Sequence, residues 1–123
     1  MCINIRVMET QAITRQQIAE ELVEFLDSAF FKALAEPVRI DILKFLFLQG
    51  RSDIGTIAAN MPQDRSVISR HLHLMEQAGI VQSEKEGRHV YYRVNANNFS
   101  SRMQEITEKL NTCVEICYPN CCD

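Results

Sequence analysis

The sequence predicts a mainly α domain that carries one small β-hairpin and pairs with a second copy through its first and last helices. Three observations carry that reading. Apolar residues recur at helical spacing over most of the chain. The period changes once, between Ile80 and Val94, to two β-rich runs. The last helical stretch spaces its apolar residues 4, 3, 4, 3, 4, which is the seam of paired helices rather than the broad stripe of a surface helix.

Residues 1–11 show no clear period and read as an N-terminal arm. Residues 12–30 place Ile18, Leu22, Phe25, Leu26, Ala29 and Phe30 on one helix face, with Glu20, Glu21, Glu24 and Asp27 on the other. Ala33–Glu36 is a short break. Pro37 suits the first turn of a second helix, because proline lacks only an N–H that would be unpaired there. Val38, Ile42, Leu43, Phe45 and Leu46 carry that helix to about Leu48, and Gly50 ends it. Ser52 or Asp53 can cap a short third helix holding Ile54, Ile57 and Ala58. Asn60-Met61-Pro62-Gln63 is a turn signal, and Asp64 caps a fourth helix over 65–78, closed by Gly79. Two short helices joined by a tight turn read as helix-turn-helix.

After Gly79, Ile80–Glu84 and His89–Val94 form the strands of a hairpin, joined by Lys85-Glu86-Gly87-Arg88. A helix-turn-helix followed by a hairpin is the winged variant. The last helix starts near Asn97, and its seam is Phe99, Met103, Ile106, Leu110, Cys113 and Cys117. Such a seam needs a partner helix, and a chain this small finds it in a second copy. The expected dimer contacts are Leu22, Phe25, Phe99, Met103, Ile106 and Leu110. Pro119 stops the helix near Cys117. The expected organisation is therefore an arm over 1–11, a winged domain with dimerisation helices over 12–117, and a cysteine-bearing tail over 118–123.

The chain's 123 residues suffice for one domain with one core. The composition, 46% apolar and 24% charged, is that of an ordinary globular protein. No run approaches the roughly 18 apolar residues of a membrane span, and the first residues lack the layout of a secretory signal. A cytoplasmic protein with reduced thiols is expected. The net charge of −3 argues weakly against nucleic acid, but the charge is unevenly placed. Residues 65–93 hold 5 basic and 3 acidic side chains and all three histidines, and they are the only net basic stretch. Any DNA contact belongs there.

On a helical wheel, Ser66, Ser69, Arg70, His73 and Gln77 fall on one side of helix 65–78, and Ile68, Leu72 and Met75 on the other. The polar side is short, hydroxylated and basic. Arg70 can donate two hydrogen bonds to a guanine edge, and the serines can approach phosphate or base closely. The bland alternative is a solvated face. The basic hairpin just downstream favours DNA. Arg65 opens the helix. Lys85, Arg88 and His89 at the hairpin can reach the backbone or the adjacent minor groove, contacts that position rather than specify. His71 lies between the two faces and reads as a packed, hydrogen-bonded side chain.

Three segments in order resemble one family. Phe31-Lys32-Ala33-Leu34-Ala35-Glu36-Pro37-Val38-Arg39-Ile40-Asp41-Ile42-Leu43 resembles the opening signature of the ArsR/SmtB metalloregulators. Ser66–Leu72 with Leu74 and Ala78–Val81 is similar to their recognition helix, and Glu86–Tyr92 to their wing. The resemblance covers about residues 20–110. It implies a winged helix-turn-helix homodimer, not an enzyme, that represses transcription until an inducer releases it. It also implies where a sensor can stand. The Cys-x-Cys positions of the third helix align here with Asp53 and Gly55, so that site is missing. Residues 97–117 hold no Asp or His, so the zinc and nickel type is missing too.

What remains is cysteine. Four of the five cysteines, Cys113, Cys117, Cys121 and Cys122, fall in the last 11 residues. Thiolates are soft ligands that select thiophilic ions. As(III) takes three of them in a pyramid, and the resemblance implies arsenite sensing through relocated cysteines; Sb(III) has the same demand. Cys113 and Cys117, four apart, share a helix face, where cysteine can equally serve as a small hydrophobe. Cys121 and Cys122 stand past a proline on a polar tail, where nothing needs a hydrophobe. Cys2 of a partner chain could join them. Cd, Pb or Hg ions and thiol oxidation or persulfide formation are alternatives for the same fold. A cysteine-based reductase is disfavoured, since no Gly-rich loop precedes any cysteine.

Overall fold

The computed structural model describes the backbone of residues 5–117 and the side chains of residues 15–116. Among the described residues, six helices and three strands run in the order α1 (Ile5–Leu26), α2 (Ala29–Ala33), α3 (Pro37–Gln49), β1 (Ser52–Asp53), α4 (Ile54–Ala59), α5 (Arg65–Gln77), β2 (Val81–Glu86), β3 (His89–Val94) and α6 (Ala96–Cys117). None of the described helices is long and apolar enough to cross a membrane.

The chain divides into two compact units, residues 1–28 with 102–123, and residues 29–101. The second holds the buried core. Phe30, Ala33, Ile42, Leu43, Leu46, Ile57, Ile68, Leu72, Met75, Ile80, Val81 and Tyr92 are all buried in it. The α3 helix begins on Pro37 and ends where the Gly50 N–H donates to the Leu46 carbonyl, with Gly50 at φ 76. The Asp53 side chain accepts from the Thr56 N–H at 3.2 Å and so caps α4. Asp64 precedes α5 in extended conformation but makes no side-chain cap bond. Phe99, on the first turn of α6, sets its ring edge-on to Phe30 at 5.3 Å and to Phe47 at 6.3 Å.

In the first unit, α1 and the distal part of α6 run antiparallel. The Arg15 Nε–H donates to the Ile116 carbonyl at 3.2 Å. One helical stretch further, Phe25 lies 5.8 Å from the Arg102 guanidinium and 5.7 Å from the Lys109 ammonium. Ile18, Glu21, Glu108, Lys109 and Thr112 line the shallow cleft between the two helices. The α6 residues that meet α1 here, Arg102, Glu108, Lys109, Thr112 and Ile116, stand outside the expected seam.

Besides the Asp64 cap that does not form and the expected loop residues Lys85 and Glu86 that belong to β2, the structure departs from the sequence reading at α1, α2 and β1. Residues 5–11, expected as an arm, are helical, because α1 starts at Ile5. Residues 12–30, expected as one helix, break at Asp27–Ser28, and α2 is a separate element. Ser52 is not a cap but half of a third strand. It pairs with Tyr92, and Asp53 with Tyr91, so the sheet has the order β1-β3-β2.

Candidate nucleic-acid interface

The elements that present the basic stretch are α5 and the β2–β3 wing. The α5 helix buries Ile68, Leu72 and Met75, spaced 4 and 3 apart, against the core. Its opposite side is thereby forced outward. Arg65, Ser66, Arg70, His73 and Gln77 are exposed, and Ser69 is half-buried at the edge. Ser69, Arg70 and His73 line one open cleft of about 450 Å³ together with Leu74 and Tyr92. Burial, with a smaller push from Glu76, holds the Tyr92 phenol above its ordinary pKa. His71 is half-buried, and its Nδ1 accepts from the Arg39 Nε–H at 3.2 Å. It is the packed, hydrogen-bonded histidine that its wheel position suggested.

The end of α5 is tied down at two points. Glu76 accepts from the Ser83 N–H at 3.1 Å and the Ser83 hydroxyl at 2.5 Å, which fastens the helix to β2. The Asn98 amide donates to the Gly79 carbonyl at 2.8 Å. The hairpin turns on two residues, Gly87 and Arg88, between the paired Glu86 and His89. Gly87 has φ 61, while no described non-glycine residue has positive φ, which matches a II′ turn. Arg88 thus stands at the tip. Lys85 falls on the face of the ladder shared by Ser83 and Tyr92. The exposed His89 lies with Nδ1 3.4 Å from an Asp53 carboxylate oxygen. All nine candidate DNA residues are thus on α5 or the wing, in two groups.

Sequence reasoning missed Arg51. Its Nη2 lies 2.7 Å from Glu86 and 3.5 Å from Glu84, and its guanidinium carbon lies 3.9 Å from the centroid of the Tyr91 ring. Those partners are 33 and 35 residues away, and only the β1–β3 pairing brings them together.

Cys113 is half-buried on α6, and Cys117 is the helix's last residue. The Cys117 side chain, with Cys121, Cys122 and Cys2, lies outside the described residues. Among the described side chains no three His, Cys, Asp or Glu converge as metal ligands. Of the expected dimer residues, Leu22, Phe25, Met103 and Ile106 are half-buried and Leu110 is exposed, all in the first unit. Phe99 belongs to the second unit, in its aromatic cluster.

Residues 36–83 match the family described as bacterial regulatory protein, arsR family. A helix-turn-helix transcriptional regulator of Methanocaldococcus jannaschii is 36% identical over 64 residues, which are 52% of this chain and 72% of that one. The arsenical resistance operon repressor of Escherichia coli is 32% identical over 65 residues, 53% of this chain and 56% of that one. Among solved structures, a possible transcriptional regulator for arsenical resistance aligns with TM-score 0.58 and 30% identity, covering 66% of this chain and 82% of that one.

Proposed function

The chain belongs to the arsR family of bacterial regulatory proteins, and on that premise we propose that it is a dimeric repressor that leaves its operator when a thiophilic inducer, As(III), is captured by its C-terminal cysteines. The observation that carries the DNA half is the exposed side of α5. Arg65, Ser66, Ser69, Arg70, His73 and Gln77 stand outward on the second helix of a helix-turn-helix, the helix that enters the major groove in such motifs. Arg70 reads base edges, and Lys85, Arg88 and His89 on the wing hold the backbone.

Dimerisation is supported by what α1 and α6 leave uncovered. Val23, Leu26, Leu110 and Val114 remain between 46% and 62% exposed, and apolar faces of this kind call for a partner. A second copy laid across Leu22, Phe25, Met103, Ile106 and Leu110 sets two α5 helices one DNA turn apart.

The inducer half rests on chemistry. Cys113 and Cys117 are one helical turn apart, and Cys121 and Cys122 follow Cys117 by four and five residues in the sequence. Three thiolates suit As(III) or Sb(III) and exclude hard ions. The Arg15 bond to the Ile116 carbonyl ties the helix end beside Cys117 to α1. Pulling the tail onto that end therefore perturbs both dimerisation helices. Coupling of this kind is typically about 1–3 kcal/mol.

The test is fluorescence anisotropy of the reduced protein on duplexes from upstream of its own gene, titrated with arsenite and then with cadmium. Arsenite should release the protein at lower concentration than cadmium. The Cys121→Ser/Cys122→Ser variant should bind DNA as the parent does and no longer respond. Loss of DNA binding in that variant would sink the sensor assignment. Release by cadmium first, or by oxidant alone, would transfer it to the corresponding alternative.

A further inference from the structure

The wing that is to approach DNA carries acid on one face. The ladder sets Gln82, Glu84 and Glu86 of β2 opposite Arg93, Tyr91 and His89 of β3, all on one side of the sheet. Asp53 of β1 stands opposite Tyr91 on that side, and Arg51, two residues earlier, shares it. This face therefore holds three carboxylates, Asp53, Glu84 and Glu86, against the two guanidinium groups of Arg51 and Arg93. Lys85 belongs to the other face and Arg88 to the tip. Carboxylates next to a phosphate backbone repel it, and the cost is long-range compared with a hydrogen bond.

Arg51 answers two of the three. One guanidinium nitrogen serves both Glu86 at 2.7 Å and Glu84 at 3.5 Å, and the guanidinium carbon sits over Tyr91, 3.9 Å from its centroid. Asp53 is turned toward His89 at 3.4 Å. An exposed ion pair adds little to fold stability. Its effect on an approaching polyanion is different in kind, because what the phosphates meet is the summed local charge.

We infer that Arg51 is a positioning residue of the DNA interface: it cancels the wing carboxylates Glu84 and Glu86 and, set over the Tyr91 ring, holds them away from the backbone that Lys85 and Arg88 approach. This rests on the DNA-binding reading given above. It does not require Arg51 to touch DNA.

The experiment is a mutant cycle read by anisotropy on the same upstream duplexes and on a mixed-sequence duplex, at several salt concentrations. Arg51→Gln should weaken binding to both duplexes by about three- to tenfold. Glu84→Gln/Glu86→Gln should change the parent little, since those charges are already answered. In the Arg51→Gln background the same pair should restore most of the loss. Arg51→Lys, which keeps the charge without the guanidinium fork, should fall in between, and circular dichroism should show native helix content in every variant. If the glutamate changes raise affinity by the same factor in both backgrounds, the inference is overturned. If Arg51→Gln also lowers the salt slope by about one and the glutamate changes do not restore it, Arg51 meets phosphate itself, and the inference is again overturned. A parent protein that binds neither duplex removes the DNA-binding reading, and this inference with it.

Discussion

Gly79 meets two demands at once. Its φ of 82 lies in the left-handed region, and a Cβ there would collide with the Asn98 amide that donates to its own carbonyl. Gly50 and Gly87 share the positive φ but face open space. Gly79→Ala should therefore destabilise the fold by more than the roughly 1 kcal/mol of backbone strain alone, and by more than Gly50→Ala does. Urea unfolding of the two variants checks this; equal midpoints would mean Asn98 swings away without cost. Asp53 works at the same scale through charge. The Thr56 hydroxyl holds its carboxyl below the ordinary range; burial opposes this, and the Thr56 N–H and the charge of His89 add smaller pulls downward. A carboxyl with a lowered folded pKa adds stability above its unfolded value and loses it as pH falls through the folded one. Asp53→Asn keeps a good N-cap but does not titrate. The acid limb of a plot of urea midpoint against pH, below about pH 4, should flatten in this variant, while the neutral-pH midpoint stays near the parent's.

Elements differ in how plainly the sequence announces them. Helix α5 was legible because its buried Ile68, Leu72 and Met75 alternate with an uninterrupted polar face and a glycine follows. The wing was legible from β-rich residues around a glycine. Strand β1 was not, since two residues cannot show a period. Its existence depends on β3 lying alongside, a tertiary fact. Helix α2, five residues long, ran into the preceding pattern because Ala29 and Phe30 continue the apolar spacing. The start of α1 was hidden for the opposite reason, that Thr10, Gln11 and Thr14 blur any stripe. The candidate site shares this split. Local side chains on α5 were found by wheel position, whereas Arg51 acts through a pairing that no local window contains.

At the scale of the whole molecule, a chain with net charge −3 offers DNA a local basic surface rather than a favourable sum. In the proposed dimer two copies would double that surface on one duplex, so assembly and affinity would be linked. Leu110 is half exposed on the face proposed to join the copies. Leu110→Lys gives up the burial of one leucine, about 2 kcal/mol, and adds a charge, so the dimer should dissociate at a concentration more than tenfold higher. Sedimentation velocity reads the change, and DNA affinity should fall with it. A variant that stays dimeric would place the interface elsewhere.

The two-residue turn of the wing also bears on how such a sequence can diverge. Every residue of β2 from Val81 to Glu86 is paired with one of β3 from Val94 to His89, leaving no slack in the loop. One residue inserted within either strand must bulge or slip the register, and a slip by one exchanges the two faces. Glu84 and Glu86 would then turn toward the side of Tyr92, and Lys85 would take their place before Arg51. Among descendants of this chain, the wing can lengthen or shorten smoothly only by a residue from each strand together, so its drift in length should come in even steps.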